Sequence, residues 1–373
     1  MGRDGMSLIR KSVFWVHLAI GLLAGALVLM MSVTGVLMAF ERQIVERADG
    51  FHIVPAAGAT VLGPETLLEK IRSEKQPPTA LGFERASTKP VLYQFGKEKT
   101  LFADPYTGES LGGGNTTVRG FFKFILGWHR WLSREGASQA TGKAIIGIGN
   151  LMFLFLLISG VFLWFPKRWT RSGVKAITLV RTRLKGRARD WNWHNAFGFW
   201  AAVPLLAIVT SGTVISQPWA TSLVFRMAGE AAPPQGEKKK PAPFTLPENL
   251  GGLDAAFDAV KSANPAWQSI QLQLPFTNTA TFAVAESHRG RPDLRRQVTV
   301  DLTSAAIVKT EGLDDVGPGR QARTWIRWIH TGEAGGVPGQ TIAGLAAAAS
   351  AVLVWTGFAL SWRRFFKRRA VTP

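Results

Sequence analysis

The sequence predicts a mainly α membrane protein: four transmembrane helices in a bundle, built as two tandem helix–outer domain–helix repeats with two small α+β outer domains. Three observations carry this prediction. Four apolar segments, 14–40, 144–165, 197–215 and 341–360, each run to about 20 residues or more, the length an α-helix needs to cross ~30 Å of hydrocarbon. The positive charge is gathered into three short stretches. A set of histidines and glycines recurs at the same spacing in both halves of the chain.

In order, the chain divides into 1–40 (N-terminal residues and first helix), 41–127 (first outer domain), 128–165 (interfacial segment and second helix) and 166–190 (basic loop). Then follow 191–220 (third helix), 221–322 (second outer domain with a Pro/Lys-rich linker), 323–361 (interfacial segment and fourth helix) and 362–373 (basic tail). The first apolar segment follows Arg3, Arg10 and Lys11 but exceeds the apolar core of a secretory signal and lacks a small-x-small cleavage site, so a retained anchor is expected.

The charge argues topology. Residues 166–190 carry nine Lys/Arg against Asp190, and with the N-terminus and the tail these stretches hold +15 of the formal +19. The long loops 41–140 and 221–338 are nearly neutral, at 13 basic against 11 acidic and 13 against 12. Positive flanks stay cytoplasmic, so both termini are expected inside and both large loops outside. The same distribution argues against nucleic-acid binding. The chain has no cysteine, which excludes disulfides and thiolate metal sites.

In the first loop, 61–75 (VLGPETLLEKIRSEK) reads as a short amphipathic helix, with strands at 90–95 and 99–103 before a turn at DPYTG. The second loop follows the same plan. A helix is expected over 253–263, strands over 267–274, 280–285 and 296–302, and a linker over 232–247 (APPQGEKKKPAPFTLP). No phosphate-binding glycine loop, catalytic triad or carboxylate pair stands out.

Six histidines remain. His52 and His288 lie in outer-domain segments and read as solvated or locally bonded. His17 and His194 open the first and third helices; His129 and His330 precede the second and fourth, on short interfacial helices. The expected topology thus puts one pair at each membrane face. Ionisable groups at membrane depth are costly and suggest function. Interfacial imidazoles among Trp15, Trp128, Trp193 and Trp328 are the competing account.

The register ties the histidines to glycines. His17, Gly21 and Gly35 align with His194, Gly198 and Gly212 at an offset of 177, and Gly142 and Gly160 with Gly339 and Gly357 at 197. Such internal repetition defines an architecture. Each His17–Gly35 or His194–Gly212 step is 18 residues, five helical turns or ~27 Å. The glycines therefore return to the histidine face at the level of the other pair. Neutral imidazole is a good ligand, and two histidines from two helices suit a six-coordinate haem iron better than zinc, which takes three or four protein ligands. Two haem b groups are expected, His17 with His194 and His129 with His330, packed by Gly21, Gly35, Gly142, Gly160, Gly198, Gly212, Gly339 and Gly357. Glycine-mediated helix packing is the alternative for those eight positions. The outer pair is less regular: His129 precedes Gly142 by 13 residues and His330 precedes Gly339 by nine. Arg10, Lys11, Lys167, Arg168 and Arg363 inside, and Arg130, Arg323 and Arg327 outside, are candidate propionate partners, although topology alone also accounts for most of them.

WVHLAIGLLAG with its later TG, DPYTGESLG, WHRWL followed by ISGVFLWFPKR, and WNWHNAFGFW followed by TSG together resemble the PepSY-associated transmembrane family over nearly the whole chain. The resemblance implies PepSY-like periplasmic domains, a bacterial inner-membrane location and an activity like that of di-haem ferric-siderophore reductases. Some relatives carry fused flavodoxin or ferredoxin-reductase-like modules, and none follows the last basic cluster here. A separate cytoplasmic flavin reductase, flavoprotein or reduced flavin is therefore implied as donor. A ferric siderophore or other ferric chelate is the implied acceptor, since reduction weakens hard-oxygen chelation. The alternative is a non-enzymatic membrane protein whose PepSY-like domains bind peptides or regulate an envelope peptidase. A transporter relaying protons through its histidines is a weaker third reading, because carboxylates are missing from the apolar cores.

Overall fold

The computed structural model describes residues 3–366 except 75, 87, 97–98, 167–168 and 235–243. The helices, in chain order, are α1 (Arg3–Met38), α2 (Glu41–Asp49), α3 (Pro64–Lys70), α4 (Thr116–Trp131), α5 (Gln139–Trp164), α6 (Arg171–Thr178), α7 (Gly186–Ser216), α8 (Pro218–Met227), α9 (Leu253–Ala263), α10 (Pro318–His330) and α11 (Gly336–Phe365). The strands are β1 (Ala80–Glu84), β2 (Val91–Phe95), β3 (Lys99–Ala103), β4 (Ser110–Gly112), β5 (Ser269–Gln273), β6 (Thr279–Ala285), β7 (Arg295–Asp301) and β8 (Ile307–Gly312). The chain folds into two compact units, one holding the long helices and the other the sheet.

The helical unit holds four helices long and apolar enough to cross a membrane: Leu8–Met38, Gly136–Trp164, Gly186–Ser216 and Glu333–Phe365. α1 packs on α5 and α11, and α7 packs on the same two. The ring order is therefore α1–α5–α7–α11, with α1 and α7 on one diagonal. Small residues set the approach of neighbours: Gly25 of α1 lies under the Phe358 ring of α11, and Gly149 of α5 under Leu27 of α1. Buried polar groups tie the same helices together. Ser32 Oγ donates to Ser350 Oγ at 2.8 Å, and Asn150 Nδ2 donates to Val209 O and Thr213 Oγ1 at 3.0 and 2.8 Å.

All four helices begin before their apolar segments. α7 begins at Gly186 rather than at 191, because the turn before Trp191, although polar, carries no helix breaker after Gly186. His194 consequently lies inside α7 rather than at its start, and His17 lies well inside α1. The basic loop also contains a helix that hydropathy does not reveal, α6, whose N-terminus is capped by Thr170 Oγ1 accepting from Gly173 N at 3.1 Å. Most of the linker expected over 232–247 lies outside the described residues.

The second unit corrects the expectation of two separate α+β domains. Its strands form one eight-stranded antiparallel sheet in the order β4-β3-β2-β1-β5-β6-β7-β8. Each loop supplies a four-stranded meander, and the two are joined by β1 and β5, with Leu81 opposite Leu272 and Phe83 opposite Ile270. Pairing the first strands removes two free edges, each a row of unpaired backbone groups. β1 is not evident from the sequence because it is five residues long and contains Gly82. β4 and β8 were not anticipated either; β8 is exposed nearly throughout and so lacks the alternation that marks a half-buried strand.

Helices α3 and α9 bury Leu67, Leu68, Leu253, Phe257 and Val260 with Leu81, Tyr93, Ile270, Leu272, Phe282 and Val300 of the sheet, so both loops share one core. Burial raises the Tyr93 phenol above its ordinary range, and the hydroxyl is satisfied by donating to Leu67 O at 2.9 Å. The two helices cap each other. Glu65 N donates to Asp254 Oδ1 at 2.9 Å, and Asp254 N donates to Glu65 Oε1 at 3.1 Å. Each acid meets orphan N–H groups at the other helix's positive end. Replacing Glu65 or Asp254 by Ala should lower stability by about 1 kcal/mol each. In a double-mutant cycle read by thermal denaturation of the full chain in detergent, the two losses should be non-additive; strict additivity would mean that the caps are independent.

Candidate functional site

Four histidines enter the helical unit in a reciprocal pattern. α1 carries His17, whose Nδ1 lies 2.8 Å from Ser159 Oγ of α5. α7 carries His194, whose Nδ1 lies 2.9 Å from Thr356 Oγ1 of α11. In the opposite direction, His129 at the end of α4 places Nδ1 2.8 Å from Thr34 Oγ1 of α1. His330, the last residue of α10, places Nδ1 3.2 Å from Ser211 Oγ of α7 and 2.9 Å from Ile208 O. Among the described residues, every hydrogen bond of these four rings runs through Nδ1.

The residue after each hydroxyl is a glycine, and the imidazole lies over it. A Cβ built on Gly160 would stand 3.5 Å from His17 Cε1, on Gly357 3.6 Å from His194 Cε1, on Gly35 3.8 Å from His129 Cε1 and on Gly212 3.1 Å from His330 Cε1. The other four glycines of the expected set do not face a histidine. Gly21 and Gly198 face Leu156 and Leu353 at ordinary contact distance. Gly142 sits against the Trp131 carbonyl, and Gly339 against the Gly332 carbonyl. Those last two let the backbone reverse tightly between α4 and α5 and between α10 and α11. The reversal at Gly332 has φ +73°, and the four extra residues of the first half divide between two that extend α4 past His129 and two in the longer connection 132–138.

His17 and His194 come from diagonally opposed helices and lie within electrostatic reach of each other. His129 and His330 form the second pair. Burial pushes the His129 imidazole down to about 4, with the charge of His330 as the next cause, and burial lowers His330 as well. Along α1 the two levels are separated by the 18 residues from His17 to Gly35, ~27 Å. Among the described residues no group of three or more His, Cys, Asp or Glu could hold a metal. Two imidazoles per level, with small residues beside them, fit the axial set of a b-type haem and fall short of a zinc site.

The basic candidates divide. Arg10 Nη2 donates to Leu163 O and Phe165 O at 2.5 and 2.9 Å, closing the C-terminal turn of α5. Arg363 Nε donates to Asp190 Oδ2 at 3.0 Å. Arg130 and Arg327 are exposed, each 5.1 Å over the ring of its neighbouring Trp131 or Trp328. They lie close enough that the charge of Arg327, after burial, lowers the Arg130 guanidinium. Lys11 is exposed and Arg323 half-buried; Lys167 and Arg168 lie outside the described residues. His288 is bonded locally, its Nδ1 accepting from Gly290 N at 3.3 Å.

Several residues around His194 were not singled out from the sequence. Asp190, fully buried, also accepts two bonds from Arg189, at 3.0 and 2.8 Å. Arg189 in turn lies 5.6 Å over Trp193 and 5.0 Å over Trp355. Asn192 donates to Ala176 O and Leu179 O at 2.7 and 2.9 Å and accepts from Arg181 N at 2.8 Å. Together they fasten α11 and the chain after α6 to the turns of α7 that carry His194. Ser159 and Thr356 were also missed, although Ser159-Gly160 and Thr356-Gly357 repeat the hydroxyl–glycine dipeptide of Thr34-Gly35 and Ser211-Gly212.

Fold and site together define a multi-pass membrane protein with four apolar helices, paired histidines among them and an antiparallel sheet unit. The family model for the PepSY-associated TM region matches residues 14–367, and the chain belongs to that family. No curated protein matches it.

Asp190→Asn should lower stability by about 2–3 kcal/mol, the scale of lost hydrogen bonds to a buried charge. The measurement is the melting temperature of the full chain in detergent, and an unchanged value would remove Asp190 from the set that holds α7 to α11.

Proposed function

We propose that this chain is a di-haem b electron-transfer protein of the bacterial inner membrane. It carries electrons from a cytoplasmic reduced flavin, flavin reductase or flavoprotein to a ferric chelate, a ferric siderophore in the first instance, on the periplasmic side. The observation that carries this reading is the arrangement of the four histidines: two pairs at two levels of one bundle, each ring held through Nδ1 beside a glycine. On this reading the protein is a transmembrane oxidoreductase of the ferric-chelate reductase type, built from two copies of a helix–PepSY-like segment–helix unit, with both termini cytoplasmic.

Bound haem iron supplies one-electron exchange. His17 and His194 at one level, and His129 and His330 at the other, would hold the haem irons through Nε2. Gly160, Gly357, Gly35 and Gly212 keep side chains out of the space beside each ring. The surrounding apolar side chains exclude water, which lowers the local dielectric and so sharpens the influence of each hydrogen bond on an iron potential. Arg130 and Arg327, two neighbouring cations, suit an anionic group such as a propionate. Reduction of the ferric acceptor weakens its binding by hard oxygen ligands and frees the metal.

Dithionite reduction of protein expressed with ample haem should give a sharpened Soret band and narrow α and β bands. A colourless protein would sink this reading and leave the peptide-binding alternative. His194→Ala should lower the haem content by about half, as measured by the pyridine haemochrome assay, whereas His52→Ala should leave it unchanged. Loss of no haem from the His194 variant would undo the pairing.

A further inference from the structure

We propose that Thr34, Ser159, Ser211 and Thr356 are positioning residues, each accepting a hydrogen bond from Nδ1–H of its histidine and so fixing the imidazole in the tautomer that leaves the lone pair on Nε2. Each hydroxyl has one proton, and each has a backbone acceptor for it on its own helix. Thr34 Oγ1 donates to Met30 O at 2.7 Å, Ser159 Oγ to Phe155 O at 2.7 Å, Ser211 Oγ to Ala207 O at 2.6 Å and Thr356 Oγ1 to Val352 O at 2.7 Å. With that proton committed, the hydroxyl meets Nδ1 as an acceptor, and the proton between them belongs to the imidazole.

His330 provides an independent check on the same tautomer. Its Nδ1 lies 2.9 Å from the carbonyl of Ile208, and a carbonyl oxygen can only accept. The Met31 carbonyl, three residues before Thr34, likewise interacts with His129. One helical turn therefore presents a hydroxyl and a glycine to each ring, and at His330 a carbonyl within hydrogen-bond distance as well. Polar pairs elsewhere in the bundle, Ser32 with Ser350 and Asn150 with Thr213, join helices without involving a histidine. The hydroxyl–glycine dipeptide is thus a holder for imidazole rather than a general bundle contact. A hydrogen bond accepted from Nδ1–H makes imidazole a stronger donor through Nε2, so removing the acceptor should make an iron bound there easier to reduce.

The effect on a haem rests on the proposed function; the tautomer does not. The test uses the full chain labelled with 15N-histidine, as wild type, Thr356→Val, Thr356→Ser and Ser211→Ala. Haem midpoint potentials and the histidine 15N shifts of the dithionite-reduced, diamagnetic protein are measured for each. Thr356→Val keeps the side-chain shape and deletes the acceptor. It should move one of the two midpoints to a more positive value and shift the His194 Nδ1 resonance, whereas Thr356→Ser should track wild type. Ser211→Ala should have the smaller effect, because Ile208 O still holds His330. Loss of one haem in Thr356→Val with retention in Thr356→Ser would equally support the holder. Unchanged midpoints and nitrogen shifts in Thr356→Val, or a Thr356→Ser variant that behaves like it, would overturn it. A wild type without haem bands would defeat the proposed function instead, and the nitrogen shifts of the same four proteins would still decide the tautomer.

Discussion

An imidazole inside an apolar bundle must find a partner, and the molecule meets that constraint four times with the same turn of helix. Leaving a polar nitrogen unbonded in hydrocarbon-like surroundings costs on the order of several kcal/mol. The hydroxyl that removes that cost contributes only about 0.6 kcal/mol on average between membrane helices. The difference between those magnitudes explains the arrangement. A hydroxyl bond is too weak to be the reason a bundle assembles, yet its absence would leave the ring's Nδ1 edge unsatisfied, so its consequence is orientation. Ser159, Thr356, Thr34 and Ser211 each turn one ring by its Nδ1 edge, and everything chemically distinctive about the bundle depends on the edge left over.

Glycine accompanies that arrangement and is divided between two tasks. At Gly212 the missing side chain leaves close room for an imidazole, and at Gly35, Gly160 and Gly357 an imidazole rests at contact distance; at Gly142 and Gly339 it lets two backbones meet at a reversal. The reversals matter to the site because His129 and His330 stand at the ends of the helices that precede them. Two further residues of α4 beyond His129, and a connection two residues longer than the one after α10, leave both histidines at hydroxyl distance from their holders.

At the other level, charge does the holding. Asp190 is the one acid in a strongly basic stretch, and it is fully buried with Arg189 and Arg363 on its two oxygens. A lone buried carboxylate would be expensive, whereas a carboxylate shared by two guanidiniums is satisfied. Asn192 performs the neutral counterpart by bonding the chain after α6 through both amide atoms. The stretch WNWHNAFG is therefore surrounded by fasteners, and His194 sits among them on α7.

The sequence by itself determined the four apolar helices, the concentration of charge in short stretches, the family, and the four histidines worth attention. All of these are properties of composition and period, which survive without knowing what touches what. Helix α9 and the strands at β2, β3, β6 and β7 were also legible to within a residue or two, because apolar alternation and turn residues bound them. Only the tertiary structure decided that two loops make one sheet, since β1 and β5 find each other across nearly two hundred residues and no local signal marks the pairing. It alone separated glycines that face a ring from glycines that face a backbone, because a missing side chain looks the same in either role. It alone matched each histidine to its hydroxyl, because that bond joins different helices and depends on their rotation about their own axes.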